Sequence, residues 1–182
     1  MSVPVGLIYQ DDFISSEFED FTIKWLDSET WSNTLKRRTQ QFGYEYNYLN
    51  RNAAKPTIPL SGPILKLADY LHDKGIMNPQ QCIVNEYTQI QGISHHTDSS
   101  NFGPVIVSIS LLEPCNMKFT HSNKPEFTLL LNPRSVLILS GEARYEWQHE
   151  ITVGKKTYIA QNGSIRNKLE TYRRVSLTYR TK

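Results

Sequence analysis

The sequence predicts a mainly β fold of the α+β type: a double-stranded β-helix, or jelly roll, with N-terminal helices packed on one side. Three observations predict it. From residue 81 onward, short apolar runs at 82–87, 104–112, 117–121, 127–131, 135–139 and 174–180 are separated by turn residues, a spacing that suits a sandwich or barrel and not alternating βαβ units. Before residue 81 the apolar residues recur at helical spacing instead. The length of 182 residues, with 38% hydrophobic and 21% charged residues, suits one domain able to bury its own core.

Each element has a local signal. Ser15 or Ser16 can cap a first helix that carries Phe18, Phe21, Trp25 and Leu26 on one face. A second helix starts at Ser61-Gly62-Pro63, with proline in its first turn; its apolar stripe is Ile64, Leu65, Ala68 and Leu71, and Gly75 ends it. The expected organisation is a single domain over 1–182, with a helical part over 1–80 and a β core over 81–182. There is no internal repeat. The two cysteines, Cys82 and Cys115, form no CxxC or Cys/His knuckle, which argues against a zinc ribbon or redox dithiol. Without a basic leader or a membrane-length apolar run, the expectation is an intracellular monomer with no membrane partner. The net charge of +2 is compatible with a nucleic-acid partner without requiring one. The basic residues are uneven: Lys36, Arg37 and Arg38 form one knot, and 166–174 holds another.

Five histidines are available as metal ligands: His72, His95, His96, His121 and His149. In an extended chain, residues two apart share a face. His96 and Asp98 can therefore reach one ion while His95 points away. A third ligand must come from a distant strand. His149, after Trp147, is placed to supply it; His121 is the alternative, but it precedes a turn and is expected to be solvated. Two imidazoles and a carboxylate on one face of an octahedron suit Fe(II) and leave three positions open. His-x-Asp by itself is a weak signal, since surface histidines produce it by chance.

The last strand alternates cleanly. Arg174, Ser176, Thr178 and Arg180 share one face; Val175, Leu177 and Tyr179 share the other. The ordinary reading is a solvated polar face. The functional reading is a polar pocket inside a barrel, where two guanidiniums clamp a small dicarboxylate. Asn85 and Tyr87, also two apart, add an amide and a phenol able to bind carboxylate oxygens.

Four motifs then stand in order: Asn85-x-Tyr87, Gly92-Ile93-x-x-His96-x-Asp98, Gly141-Glu142-x-Arg144 leading to His149, and Arg174-x-Ser176-x-Thr178-x-Arg180. Together they resemble the AlkB family of Fe(II)/2-oxoglutarate-dependent dioxygenases, over roughly residues 40 to 180. The resemblance is nearest to the branch of the eighth mammalian AlkB homologue, a tRNA wobble-uridine hydroxylase. Over the chain's 182 residues the RNA-recognition and methyltransferase domains of that branch are not expected. Two positions depart from the usual family pattern: Ser176 stands where many members have Asn, and Glu150 where Gly tends to follow the distal histidine.

The resemblance implies His96, Asp98 and His149 as iron ligands. It implies Arg174 and Tyr87 on the distal carboxylate of 2-oxoglutarate, Arg180 and Asn85 on the carboxylate beside the keto group, and Ser176 and Thr178 on the same polar face. Arg144 would sit near the substrate. Phe42-Gly43-Tyr44 resembles the substrate-side loop, so Phe42 and Tyr44 are expected at the substrate and the helical part would include a lid. Tyr46 and Tyr48 are further aromatic candidates, and the basic knot, with Arg38 foremost, would hold phosphates. The implied activity uses Fe(II), 2-oxoglutarate and O₂ to oxidise an alkylated or modified base of DNA or RNA, first as N-demethylation. Hydroxylation of tRNA, or of a protein or lipid on the same fold, is the alternative.

Overall fold

A computed structural model describes residues 2–182. In chain order the elements are β1 (Leu7–Gln10), α1 (Ser16–Ser28), β2 (Arg38–Phe42), β3 (Tyr44–Asn47), β4 (Asn52–Pro56), α2 (Gly62–Asp73), β5 (Gln81–Tyr87), β6 (Ile93–His96), β7 (Ile106–Leu111), β8 (Cys115–His121), β9 (Lys124–Leu131), β10 (Ser135–Leu139), α3 (Gly141–Tyr145), β11 (Gln148–Ile151), β12 (Thr157–Ile159), β13 (Ile165–Asn167) and β14 (Arg174–Arg180). Six strands form a large sheet in the order β1-β10-β7-β14-β5-β2, and four form a small one in the order β6-β11-β8-β9. Two hairpins, β3–β4 and β12–β13, stand apart. The sheets are antiparallel and make the expected jelly roll.

The two helices form where the capping residues allow. The Ser15 hydroxyl accepts the Phe18 N–H at 3.1 Å, and Glu17 and Glu19 lie in the first turn of α1, where the helix dipole favours negative charge. The buried face of α1 is Glu19, Thr22 and Leu26, however, and Phe21 is 46% exposed. Phe18, Trp25 and Leu26 of the expected face pack on the core, and Glu19 also points inward, where its carboxylate accepts the Leu112 N–H at 2.9 Å and Arg134 at 3.0 Å. Helix α2 buries Ile64, Leu67, Ala68 and Leu71, leaving Leu65 toward solvent. Gly62 permits the crossing of the helices: with φ +52°, it carries no Cβ where one would lie 2.6 Å from the Trp25 ring.

Both faces of the large sheet are covered. Cys82, Val84, Val107, Ile109, Val175, Leu177 and Tyr179 meet Leu26, Ile64, Leu67 and Leu71 on the helix side. Tyr87, Ile106, Leu137 and Leu139 meet Met117, Phe119, Trp147 and Ile151 between the sheets. The polar face of β14 therefore lies between the two sheets, with Arg174 and Ser176 buried, and is not an ordinary solvated face. The first 80 residues are less helical than expected: β1 and β2 are the two edge strands of the large sheet. Their short runs lack the apolar alternation of the inner strands, because an edge strand has a neighbour on one side only. Among the described residues no helix is long and apolar enough to cross a membrane.

Candidate metal centre

Strands β6 and β11 pair antiparallel with His149 directly opposite His96. Asp98 lies two residues beyond His96, in the loop that leaves β6. The three side chains offer ligand atoms all within 4.8 Å of one another. The Nε2 atoms of His96 and His149 stand 3.7 and 3.5 Å from the same Asp98 Oδ1, too far for direct hydrogen bonds and close enough to share an ion. His96 Nδ1 lies 2.8 Å from the Ser94 carbonyl. A proton on Nδ1 satisfies that carbonyl and leaves Nε2 as a bare ligand. The other Asp98 oxygen accepts Arg180 Nε at 2.7 Å, and Oδ1 is the oxygen turned to the two histidines.

The electrostatics suit a cation. Burial pushes the Asp98 carboxyl up, but Arg180, His149 and His96 around it outweigh burial and hold it well below the usual carboxylate range. Burial lowers the His149 imidazole to about 4, which keeps it neutral, as ligation requires. This donor set fits Fe(II).

Beside the triad is a pocket lined by Asn85, Tyr87, Arg174, Ser176, Thr178 and Arg180, with Ser108, Ile106, Met117 and Leu139. Every residue expected on the polar face is brought there. In the β14–β5 pairing Arg174 faces Tyr87 and Ser176 faces Asn85. Arg174 is 1% exposed, yet among the described residues its partners are the Ser110 hydroxyl at 2.8 Å and the Tyr87 ring at 5.3 Å. Its Nε and Nη1, and Nη1 of Arg180, are buried without a partner. Unpaired buried guanidinium N–H groups are costly, and an anion in the pocket would satisfy them. Asp98 is the sole acidic residue lining this pocket. The Glu150 departure does not touch it: Glu150 faces outward, 3.6 Å from Lys118.

The expected substrate residues fare differently. Arg144, expected near the substrate, lines neither the pocket nor the groove beside the triad. It is buried, and its guanidinium donates to the carbonyls of Asp98 at 2.9 Å, Ser99 at 2.8 Å and Gly103 at 3.2 Å. It thus fastens the loop that carries Asp98. Arg144→Met is expected to weaken divalent-metal binding about 10- to 100-fold, the range for losing a group that orients a ligand. Calorimetric titration with Mn(II) reads it; an unchanged affinity would deny Arg144 this role.

Phe42 and Arg38 lie on the wrong face of the sheet. Strand β2 pairs Phe42 with Cys82 and Arg38 with Glu86, and cross-strand partners point the same way. Phe42 consequently packs in the helix-side core against Trp25, ring centroids 5.7 Å apart. Arg38 makes two 2.7 Å bonds to Glu86, which Arg173 also meets at 2.7 Å. Tyr44 is half-buried beside the core between the sheets, under the Lys182 ammonium at 4.3 Å.

The Arg38 pair stabilises the fold. Hydrogen bonds from Arg38 lower the Glu86 pKa from its ordinary 4.5, burial opposes them, and Arg173 adds to the lowering. A carboxylate with a depressed folded pKa contributes stability above its unfolded value, and that contribution is lost as pH falls through the folded one. Glu86→Gln is expected to cost about 1–2 kcal/mol at pH 7, since Arg38 and Arg173 are partly solvated. The difference from wild type should shrink below about pH 4.5 in urea unfolding; a difference constant with pH would contradict this origin.

What the chain does bring to the mouth of the site is a second groove, lined by Arg37, Tyr46, Tyr48, Arg51 and Phe102, and sharing Asn85, His96, Asp98 and Arg180 with the pocket. Tyr46 stacks on Phe102 with centroids 5.7 Å apart and meets Tyr48 edge-on at 4.8 Å. Arg51 has no signal in the sequence; it sits in the β3–β4 turn and donates to the Thr97 carbonyl at 2.6 Å. His121 is not solvated as expected. It stacks near Trp147 at 5.2 Å, its side chain 9% exposed. It lies near Glu142 and Glu146, but its Nδ1 accepts the Asn123 N–H and Lys124 neutralises Glu142, so this cluster is satisfied without an ion.

A profile of the 2OG-Fe(II) oxygenase superfamily matches residues 16–180. The chain is 40% identical over 169 residues to the tRNA (carboxymethyluridine(34)-5-O)-methyltransferase alkbh8 of Xenopus tropicalis, covering 85% of this chain and 26% of that protein. It is 33% identical over 179 residues to the alkylated DNA repair protein ALKBH8 homolog of Arabidopsis thaliana, covering 83% of this chain and 51% of that one. The chain thus spans between about a quarter and a half of the length of these relatives. Among solved structures, that of OsALKBH1 superposes with a TM-score of 0.66 at 18% identity, covering 100% of each chain; this likeness is one of fold.

Proposed function

Since the chain belongs to the 2OG-Fe(II) oxygenase superfamily, in its AlkB-like part, we propose that it oxidises modified bases in nucleic acid. Membership makes it an oxidoreductase that uses Fe(II), 2-oxoglutarate and O₂. The substrate reading is carried by one observation: the groove beside the triad offers three guanidiniums, of Arg37, Arg51 and Arg180, and three aromatic rings, with Asp98 as its sole acidic residue among the described residues. Cationic groups that track phosphates and aromatic faces that stack bases are what a single strand or a flipped nucleotide needs.

In this reading His96, Asp98 and His149 hold the iron. Arg174, beside Tyr87, takes the distal carboxylate of 2-oxoglutarate. Asn85 and Arg180 take the carboxylate next to the keto group, and Ser176 and Thr178 complete the polar wall. Bound Fe(II) supplies the capacity to activate O₂ and oxidise a C–H bond, with 2-oxoglutarate leaving as succinate and CO₂. The chain's own part is geometric. Arg180 fixes Asp98 so that one oxygen faces the metal, and Arg144 holds the Asp98 loop. The apolar wall of Ile106, Met117 and Leu139 limits water around the cosubstrate.

The product depends on the carbon attacked. An N-methyl group oxidised on a base would be lost as formaldehyde; a carbon not attached to nitrogen would keep its hydroxyl. The name of the Xenopus relative points to tRNA and that of the Arabidopsis relative to alkylated DNA, so both products enter the test. The test loads Fe(II) and 2-oxoglutarate anaerobically, then adds O₂ with a panel of modified oligonucleotides. Succinate should rise with at least one of them. Formaldehyde in step with succinate marks demethylation; a base heavier by one oxygen, without formaldehyde, marks hydroxylation. If no oligonucleotide binds at low salt and a peptide is oxidised instead, the nucleic-acid reading fails.

A further inference from the structure

Arg37 stands between the two cavities of the site. Its Nε donates to Asn85 Oδ1 at 2.9 Å. Asn85, buried, lines both the groove and the cosubstrate pocket; Arg37 lines only the groove. Both facts follow from strand parity. Thr39 pairs with Asn85 and Gln41 with Ile83, so odd-numbered residues of this edge face the metal, and Arg37 continues that face one step beyond β2. Its neighbour Arg38 points to the helices.

The hydrogen bond has a chemical consequence. A side-chain amide has one accepting end and one donating end. An asparagine free to turn could present its oxygen to the pocket, where it would repel a carboxylate. With Oδ1 engaged by Arg37, the Nδ2 donor is the end left for the pocket, and it makes no hydrogen bond among the described residues. The terminal nitrogens of Arg37 likewise have no hydrogen-bond partner among the described residues. Asp98, already bonded to Arg180, is the one acidic residue lining the groove.

We propose that Arg37 is a positioning residue that joins the two halves of the site: its Nε–H orients Asn85 toward 2-oxoglutarate, while its terminal nitrogens receive a phosphodiester of the substrate strand. The first half rests only on the cosubstrate role of Asn85; the second also rests on the nucleic-acid reading. Occupied by a phosphate, the guanidinium is held in place, and the amide with it, so substrate and cosubstrate bind more tightly together than alone.

Two variants separate the halves. In Arg37→Gln the side-chain Nε2 takes the place of the arginine Nε, which keeps a donor for Asn85 and removes the terminal nitrogens. In Arg37→Met the bulk remains and the donor is gone. Calorimetric titration of 2-oxoglutarate into the Mn(II)-loaded protein, without oxygen, should show Arg37→Met binding about three- to tenfold more weakly, the worth of one hydrogen bond. Arg37→Gln should bind within about twofold of wild type. In oxidation without nucleic acid the KM should follow the same order with kcat unchanged, and both variants should keep the wild-type melting temperature. Both should lose the tightening of 2-oxoglutarate binding that a single-stranded oligonucleotide causes in wild type. Equal 2-oxoglutarate affinity in Arg37→Met and wild type, or in Arg37→Gln and Arg37→Met, overturns the orienting role. If no oligonucleotide binds wild type, the nucleic-acid reading and the phosphate half fail together, and the contrast between the two variants still decides the first half.

Discussion

Asp98→Ala is expected to abolish 2-oxoglutarate oxidation and to weaken Mn(II) binding by more than about a thousandfold. Structural zinc sites bind with about 10–16 kcal/mol spread over four ligands, so one ligand is worth about 2.5–4 kcal/mol, or roughly 70- to 900-fold. His149→Ala, which removes a neutral ligand, should fall in that range. Asp98→Ala should exceed it, because Asp98 is the only negative charge lining a pocket that also holds Arg174 and Arg180. Without it, a dication must enter a wholly positive site. The same substitution leaves Arg180 Nε without its 2.7 Å acceptor, a loss worth about 3–5 kcal/mol of stability when a charge pair is broken inside a protein. Asp98→Asn keeps an acceptor for Arg180, so it should fold nearly as well as wild type and still bind metal poorly. Mn(II) affinity within tenfold of wild type in either variant would remove Asp98 from the metal site.

Arg174→Met is expected to have opposite effects on stability and on ligand binding. In the free protein Arg174 is a fully buried charge with two unpaired N–H groups. Replacing such a charge by an apolar side chain of similar volume is often neutral, or stabilising by about 1–4 kcal/mol. The variant should therefore melt no lower than wild type. Its affinity for 2-oxoglutarate should fall about 100- to 1000-fold, the cost of removing one partner of a desolvated charge pair. Thermal melting reads both. At about 100 times Kd, 2-oxoglutarate stabilises wild type by roughly 2.7 kcal/mol, and the same concentration should leave Arg174→Met unmoved. A lower melting temperature without ligand would mean that Arg174 serves the fold; an intact 2-oxoglutarate shift would put the distal carboxylate elsewhere.

At the candidate substrate residues the linear chain is ambiguous. The knot of Lys36, Arg37 and Arg38 is visible as charge, but one residue separates Arg37 in the groove from Arg38 on Glu86. Phe42 and Tyr46 both lie in an aromatic-rich run; one packs on Trp25 and the other stacks on Phe102. Arg144 has the composition of a substrate contact and the surroundings of a loop fastener. In each case residue type is legible and direction is not. For Arg37, Arg38 and Phe42, direction depends on the register of β2 against β5.

Alternation within one strand is a local property, so the linear chain already specifies its consequences. Asn85 with Tyr87, and Arg174 with Ser176, Thr178 and Arg180, share faces because successive side chains alternate; His96 and Asp98 come together although Asp98 already lies in the loop that leaves β6. The helix-side core is specified in the same way at β7 and β14, where Val107, Ile109 and Leu111 and then Val175, Leu177 and Tyr179 recur at every second position. Which face looks where is set by packing in three dimensions. The polar face of β14 is enclosed because helices cover the opposite face and the small sheet packs over it. His149, not His121, completes the triad because β11 pairs with β6 and sets it opposite His96. Those outcomes depend on contacts between residues far apart in the chain, and a period of two carries no information about them.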